Sequence, residues 1–218
     1  MTLLRSLIIL FSFIYLVSCD LQETARQHEN LPKATGKAGE IIVVMDSAMW
    51  EGKLGTALRS TFGEVVPYIP RQEPMFSLNH IAPQHFQSFL RRQKNIMFVT
   101  VLGDKNRGNK ILKSYFTNES LKMIKEDSSL FMFVKKDEFA RGQEILHLFG
   151  QTPEILRDNL AKNKDKLLTH FEKIEEDRLY KSLYSVKYED GVSKHIKDKL
   201  GCEVKVPLGF EIGLEDDN

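Results

Sequence analysis

Apolar positions along the chain fall into two kinds of run. "EIIVVM" (Glu40–Met45) and "NIMFVTVL" (Asn95–Leu102) are continuous and rich in β-branched residues, which predicts strands buried on both faces. "MFSLNHI" (Met75–Ile81) alternates as a half-buried strand does, and "SLFMFVKK" and "QEILHLFG" (Gln143–Gly150) read as two further strands. Between these lie helical spacings. Trp50, Leu54, Leu58 and Phe62 recur every fourth residue and end at Gly63, predicting one amphipathic helix weakened by Gly52 and Gly55.

Pro83 opens a short predicted helix reaching Arg92 that buries Phe86, Phe89 and Leu90, and another covers Glu119–Glu126. Thr152 and Pro153 are an N-cap and first-turn pair for a long helical region whose stripe runs through Leu156, Leu160, Leu167, Phe171 and Ile174, with a break near Asn163. The fold class expected is α/β or α+β, a mixed sheet with helices packed on it. "HIKDKLGCEVKVPLGFEIGL" loosely echoes "ALRSTFGEVVPYIPRQEPMFSL", which suggests two similar halves, 40–140 and 141–218, of a globular part spanning 40–218.

The amino terminus follows neither pattern. After "MTLLRS", the run Leu7 to Val17 is too short for a bilayer span of about 20 residues but suits the core of a secretory signal. It ends in Leu16-Val17-Ser18-Cys19, the form of a bacterial lipobox, which makes residues 1–18 a lipoprotein signal peptide and Cys19 the lipidation site. An uncleaved anchor or a plain signal peptide are the competing readings. Two or three acyl chains on the cysteine, at about 0.8 kcal/mol per buried methylene, make attachment persistent where one chain leaves it marginal. Residues 19–39 are polar and aperiodic and are expected to be a flexible tether, of roughly 25 Å typical reach.

Composition adds exclusions. The 218 residues are 42% hydrophobic and 28% charged, which suits a folded domain, and the formal net charge is +1. Arg5 is the only charge before Cys19, so the remainder is neutral, with no electrostatic case for nucleic acid or a polybasic membrane surface. With Cys19 lipidated, Cys202 stands alone, and a small apolar strand residue is its expected role.

Candidate chemistry is sparse. "GDKNRGNK" (Gly103–Lys110) departs from the phosphate-cradling loop, because Asn109 separates Gly108 from Lys110 and no hydroxyl follows; a solvated charged loop is expected. His80 and His85 with a carboxylate would make a metal site only if a turn brought them together, so no metal and no cofactor is assigned. Asp46 ends a central strand, where open α/β sheets place ligand-contacting groups, and Glu51 and Glu73 could converge on it. The competing reading makes Asp46 a helix N-cap. Trp50, Phe62, Phe86 and Phe89 read as core rather than a pocket lining, and "EKIEEDR" as a solvated helix face.

"LPKATGKAGEIIVVMD", "WEGKLGTALRSTFG", "PYIPRQEPMFSLNHI" and "KNIMFVTV", with "FARGQEILHLFG" and "LLTHFEKIEEDRLYKSL", resemble an uncharacterised lipoprotein family of the Bacteroidota, domain of unknown function 4837. The resemblance implies a lipid-anchored envelope protein, favouring the outer membrane, with no catalytic residues to carry over. That family continues past the "VPLGFEI" strand, which implies a shortened or truncated chain here. The expected function is a non-catalytic envelope module binding a protein or glycan. The alternative is an envelope hydrolase using Asp46, Glu51 and Glu73.

Overall fold

The computed structural model describes residues 30–66, 69–127 and 129–213. Residues 1–18 and Cys19 therefore lie outside the described residues, as does much of the expected tether. By internal contacts the chain forms two compact units, one ending at Lys164 and one running from Asp165 onward.

The first unit is built on a five-stranded sheet: β1 (Glu40–Val44), β2 (Ser77–Ile81), β3 (Asn95–Val101), β4 (Met132–Lys136) and β5 (Glu144–Gly150). Their order is β2-β1-β3-β5-β4. β1 runs parallel to β2 and β3, and β3 parallel to β5, while β4 closes the edge antiparallel to β5. All seven residues of β3 and all seven of β5 are buried, as continuous apolar runs require of strands covered on both faces. The β3–β5 register places Ile96 beside Ile145 and Phe98 beside His147. The edge strands β2 and β4 are more exposed.

The chain between strands covers both faces. Ile42, Val44, Ile96, Phe98 and Ile145 share one face and form a cluster with Phe86, Leu90 and Leu112. Phe86 and Leu90 come from two 3-10 turns, Pro83–His85 and Leu90–Arg92, in place of the single short helix expected. That difference leaves Phe89, expected to be buried, 69% exposed. Five helices complete this unit up to Lys164: α1 (Ser47–Glu51), α2 (Lys53–Phe62), α3 (Arg107–Lys113), α4 (Asn118–Glu126) and α5 (Pro153–Lys162). Leu112 lies on α3. On the other face α2 and α5 contact one another, and α5 meets β5, where Gly150 leaves room for Leu156.

The expected helix from Trp50 to Phe62 is two helices. Gly52 takes an extended conformation between α1 and α2, and Trp50 leaves the stripe that Leu54, Leu58 and Phe62 bury. Gly55 is what the break depends on: a Cβ there would stand 1.8 Å from the Trp50 carbonyl oxygen. The spacing of four is thus interrupted by a close backbone approach that no side-chain pattern encodes.

Part of the expected tether is docked. The Ala34 amide donates to the Arg141 carbonyl (2.9 Å) and the Thr35 amide to the Arg92 carbonyl (2.7 Å), and Lys94 and Arg141 donate back to Thr35 and Pro32. Ala34 is 7% exposed. The segment lacks large apolar residues, but backbone pairing does not need them.

In the second unit, α6 (Lys164–Tyr184, beginning at the boundary residue) and α7 (Asp190–Leu200) precede an extended segment. The break between α5 and α6 falls at Asn163, as the sequence suggests, and Thr152 caps α5 through its side chain. Gly201 ends α7 in the left-handed conformation. No strand forms after it among the described residues; an isolated bridge joins Tyr188 to Pro207. The expected boundary at 140/141 would cut β5 from β3 and β4, between which it sits in the sheet.

Gly55→Ala should lower stability by roughly 2–3 kcal/mol, since the added methyl must displace the α1 backbone. A shift in the urea unfolding midpoint without a change in slope is the expected result; an unchanged midpoint would show that α1 yields freely.

Candidate functional site at the carboxyl ends of β1 and β3

The sheet order reverses at β1: the chain moves from β1 to β2 on one side, then to β3 on the other. The crevice beyond the carboxyl ends of β1 and β3 is where open parallel sheets hold ligands. Asp46 stands there, and so does the loop from Gly103 to Asn106.

The polar side chains of this crevice bond mainly to the protein itself. Asp46 caps α1, its Oδ1 accepting from the amides of Ala48 (3.0 Å) and Met49 (3.4 Å). Its Oδ2 faces Gly108, where a Cβ would come to 3.0 Å. Asp104 Oδ1 accepts from the Asn106 amide (2.9 Å), and its Oδ2 from the side-chain amides of Asn106 (2.9 Å) and Asn109 (3.2 Å). Asn109, 1% exposed, accepts from the Val101 amide at 3.0 Å and so ties α3 to the end of β3. Lys113 Nζ donates to the Asp104 carbonyl at 2.6 Å. "GDKNRGNK" is therefore not a solvated loop throughout: from Arg107 it is α3, capped by Asn106, with Gly108 and Asn109 buried. Asp-x-Asn-x-x-Asn is the signal for this turn, because short polar side chains at these offsets satisfy free amides locally.

The other carboxylates do not converge on Asp46. Glu51 is exposed at the end of α1. Glu73 lies at the amino ends of the strands, its carbonyl accepting from the Val66 amide, beside a cleft of about 610 Å³ lined also by Gly39 and Ser77. Since β1 spans five residues, Glu73 and Asp46 are separated by roughly 16 Å along the strand direction.

The histidines separate too. His80 stacks on Trp50 (5.0 Å between centroids, 7° between planes), with its Nε2 3.0 Å from the Met45 carbonyl. The Arg59 guanidinium also lies over the indole, at 4.5 Å from its centre. His85 is exposed at the end of a 3-10 turn. Among the described residues no group of three or more His, Cys, Asp or Glu side chains could hold a metal ion. Phe62 and Phe86 are core, while Trp50 is half-buried in its stack. Cys202 is an exposed free thiol rather than a buried strand residue, because among the described residues the extended segment it begins has no strand beside it.

One titratable group is buried well away from this crevice. His147 on β5 is 3% exposed, stacked on Phe98 at 4.9 Å, edge-on to Phe116 at 5.6 Å and opposite Phe133 across the sheet. Burial, with the nearby Lys135 ammonium second, pushes its pKa down from 6.5 to about 4. Neutral histidine here acts as one more aromatic ring of the core.

These features define a mixed α/β protein whose strand ends at the point of sheet-order reversal are lined with capping groups. The chain belongs to the family described as Domain of unknown function (DUF8532), matched over residues 34–184. This overturns the resemblance to domain of unknown function 4837. No curated protein and no solved structure matches the chain.

Asp46→Ala should cost about 1 kcal/mol through loss of the α1 cap, and Asp46→Asn much less, as read by thermal or urea unfolding. Equal losses for the two would point to the charge itself. His147 has a sharper signature. Its folded pKa is below the ordinary value, so between 6.5 and about 4 the unfolded chain binds the proton better and stability falls with falling pH, by up to roughly 3 kcal/mol. Urea unfolding at about pH 7 and about pH 4.5 should show a smaller loss for His147→Phe than for the natural chain. The same loss in both would mean that other groups carry the acid sensitivity.

Proposed function

We propose that the protein is a lipid-anchored module of the cell envelope, held to its membrane through Cys19, that binds an envelope protein or glycan without catalysing a reaction. The anchoring half of this reading rests on Leu16-Val17-Ser18-Cys19 behind the apolar run from Leu7. Among the described residues no helix is long and apolar enough to cross a membrane.

One observation carries the binding-module half. Asp46 spends an oxygen on a helix cap, and Glu73 stands at the opposite end of the strand from it. Paired carboxylates need to be within reach of one reacting bond to share acid–base work, and that separation argues against the hydrolase reading.

Cells expressing the natural chain and Cys19→Ser, fed an alkyne fatty acid, provide the test. The natural chain should take up the label and partition with membranes, and the variant should lose both. A natural product with an unmodified Cys19 would sink the anchor. Hydrolysis of envelope material that survives purification and is lost in Asp46→Asn would sink the non-catalytic reading.

A further inference from the structure

Three tyrosines in the second unit recur at spacing four: Tyr180 and Tyr184 on α6, then Tyr188 before α7. The first two rings are 4.8 Å apart. All three converge on one cation, the Lys205 ammonium, whose Nζ lies 6.0, 5.0 and 4.9 Å from the ring centres of Tyr180, Tyr184 and Tyr188. No carboxylate among the described residues pairs with Lys205. Its charge is answered by ring faces, whose quadrupoles attract a cation whatever groups it carries.

We propose that this cage is a binding site for a small alkylammonium cation, occupied in this structure by the chain's own Lys205. The proposal is independent of the anchoring reading. Two features make the cage able to open. Tyr180 and Tyr188 are 55% and 41% exposed, and the Lys205 side chain is exposed, so the ammonium can leave without uncovering core. The backbone that carries it is held separately. Tyr184 Oη donates to the Lys205 carbonyl (2.9 Å), the Val206 amide donates to Ser193 Oγ (3.2 Å), the Glu189 amide donates to the Val206 carbonyl (2.8 Å), and the Gly209 amide donates to Glu189 Oε1 (2.8 Å). Withdrawal of the side chain therefore leaves the segment and its bond to Tyr184 in place.

Room and charge agree with such a ligand. A cleft of about 460 Å³ adjoins the cage, lined by Tyr188, Lys205, Asp190 and Glu203 among others. Glu203 is engaged by Lys197, which leaves Asp190 to favour a cation there; Lys194 and Lys197 in the same wall disfavour one, so selectivity lies with the rings. A trimethylammonium group matches a cage of ring faces better than a primary ammonium, because its charge is spread over methyls that shed water easily.

The test is titration of the full chain with choline, followed by the tyrosine ring proton shifts. The neutral isostere 3,3-dimethylbutan-1-ol serves as control. Lys205→Ala should bind choline about tenfold more tightly than the natural chain, the factor expected when an internal competitor holding the site most of the time is removed. Lys205→Arg, which puts a cation back, should bind no better than the natural chain. Adding Tyr188→Leu to Lys205→Ala should abolish the response. Equal affinity in the natural chain and Lys205→Ala, an equal response to the neutral alcohol, or no ring shifts in Lys205→Ala would each overturn the proposal.

Discussion

The first unit depends on the burial of one parallel strand pair. β3 and β5 place seven residue pairs, fourteen residues in all, out of water, and residues such as Ile96, Met97, Ile145 and Leu146 are fully buried. A strand pair covered on both faces has to be roofed twice, and the rest of the unit supplies the roofs: α3 and the 3-10 turns with Phe86 and Leu90 over one face, α2 and α5 against the other. Burial of this extent is worth about 25 cal/mol per Å² of apolar surface, well beyond what any single polar contact here contributes.

That double roofing dictates where polar groups go. Helices that return from the sheet leave unpaired amides at their starts, and these fall at the strand ends. Asp46, Asn106 and Thr152 each satisfy one such start. The crevice at the carboxyl ends of β1 and β3 thus carries side chains typical of a binding site, yet their hydrogen-bonding capacity is largely used within the fold. Glu73 belongs to the other end of the strands, because the chain between α2 and β2 must travel back before a parallel β2 can begin.

The second unit obeys a different rule. Its α7 buries no residue, and Val186, Leu200, Leu208 and Phe210 are each more than half exposed. Beyond the buried Leu167, Leu168 and Phe171 of α6, order comes from side-chain-to-backbone bonds such as Ser193 to Val206, and from the rings of Tyr180, Tyr184 and Tyr188 around Lys205. The alternating Val204, Val206 and Leu208 read as a strand by period, but a strand exists only beside a partner, and the described residues place none there.

Sequence alone determined the elements whose signals are local or summed over many positions. The five strands, the cap at Thr152, the break at Asn163 and the mixed α/β class all follow from period, β-branching and turn chemistry. The role of Asp46 as a cap was legible for the same reason, since its amides are two and three residues away. Only the tertiary structure decided the rest: that α1 separates from α2 where the Trp50 carbonyl meets Gly55, that Pro32–Thr35 pairs with strands' ends far along the chain, that Glu73 lies away from Asp46, and that Lys205 rests among tyrosines. The first is a local backbone approach that no side-chain spacing reports, and the others are set by how segments distant in the chain come to lie in the fold.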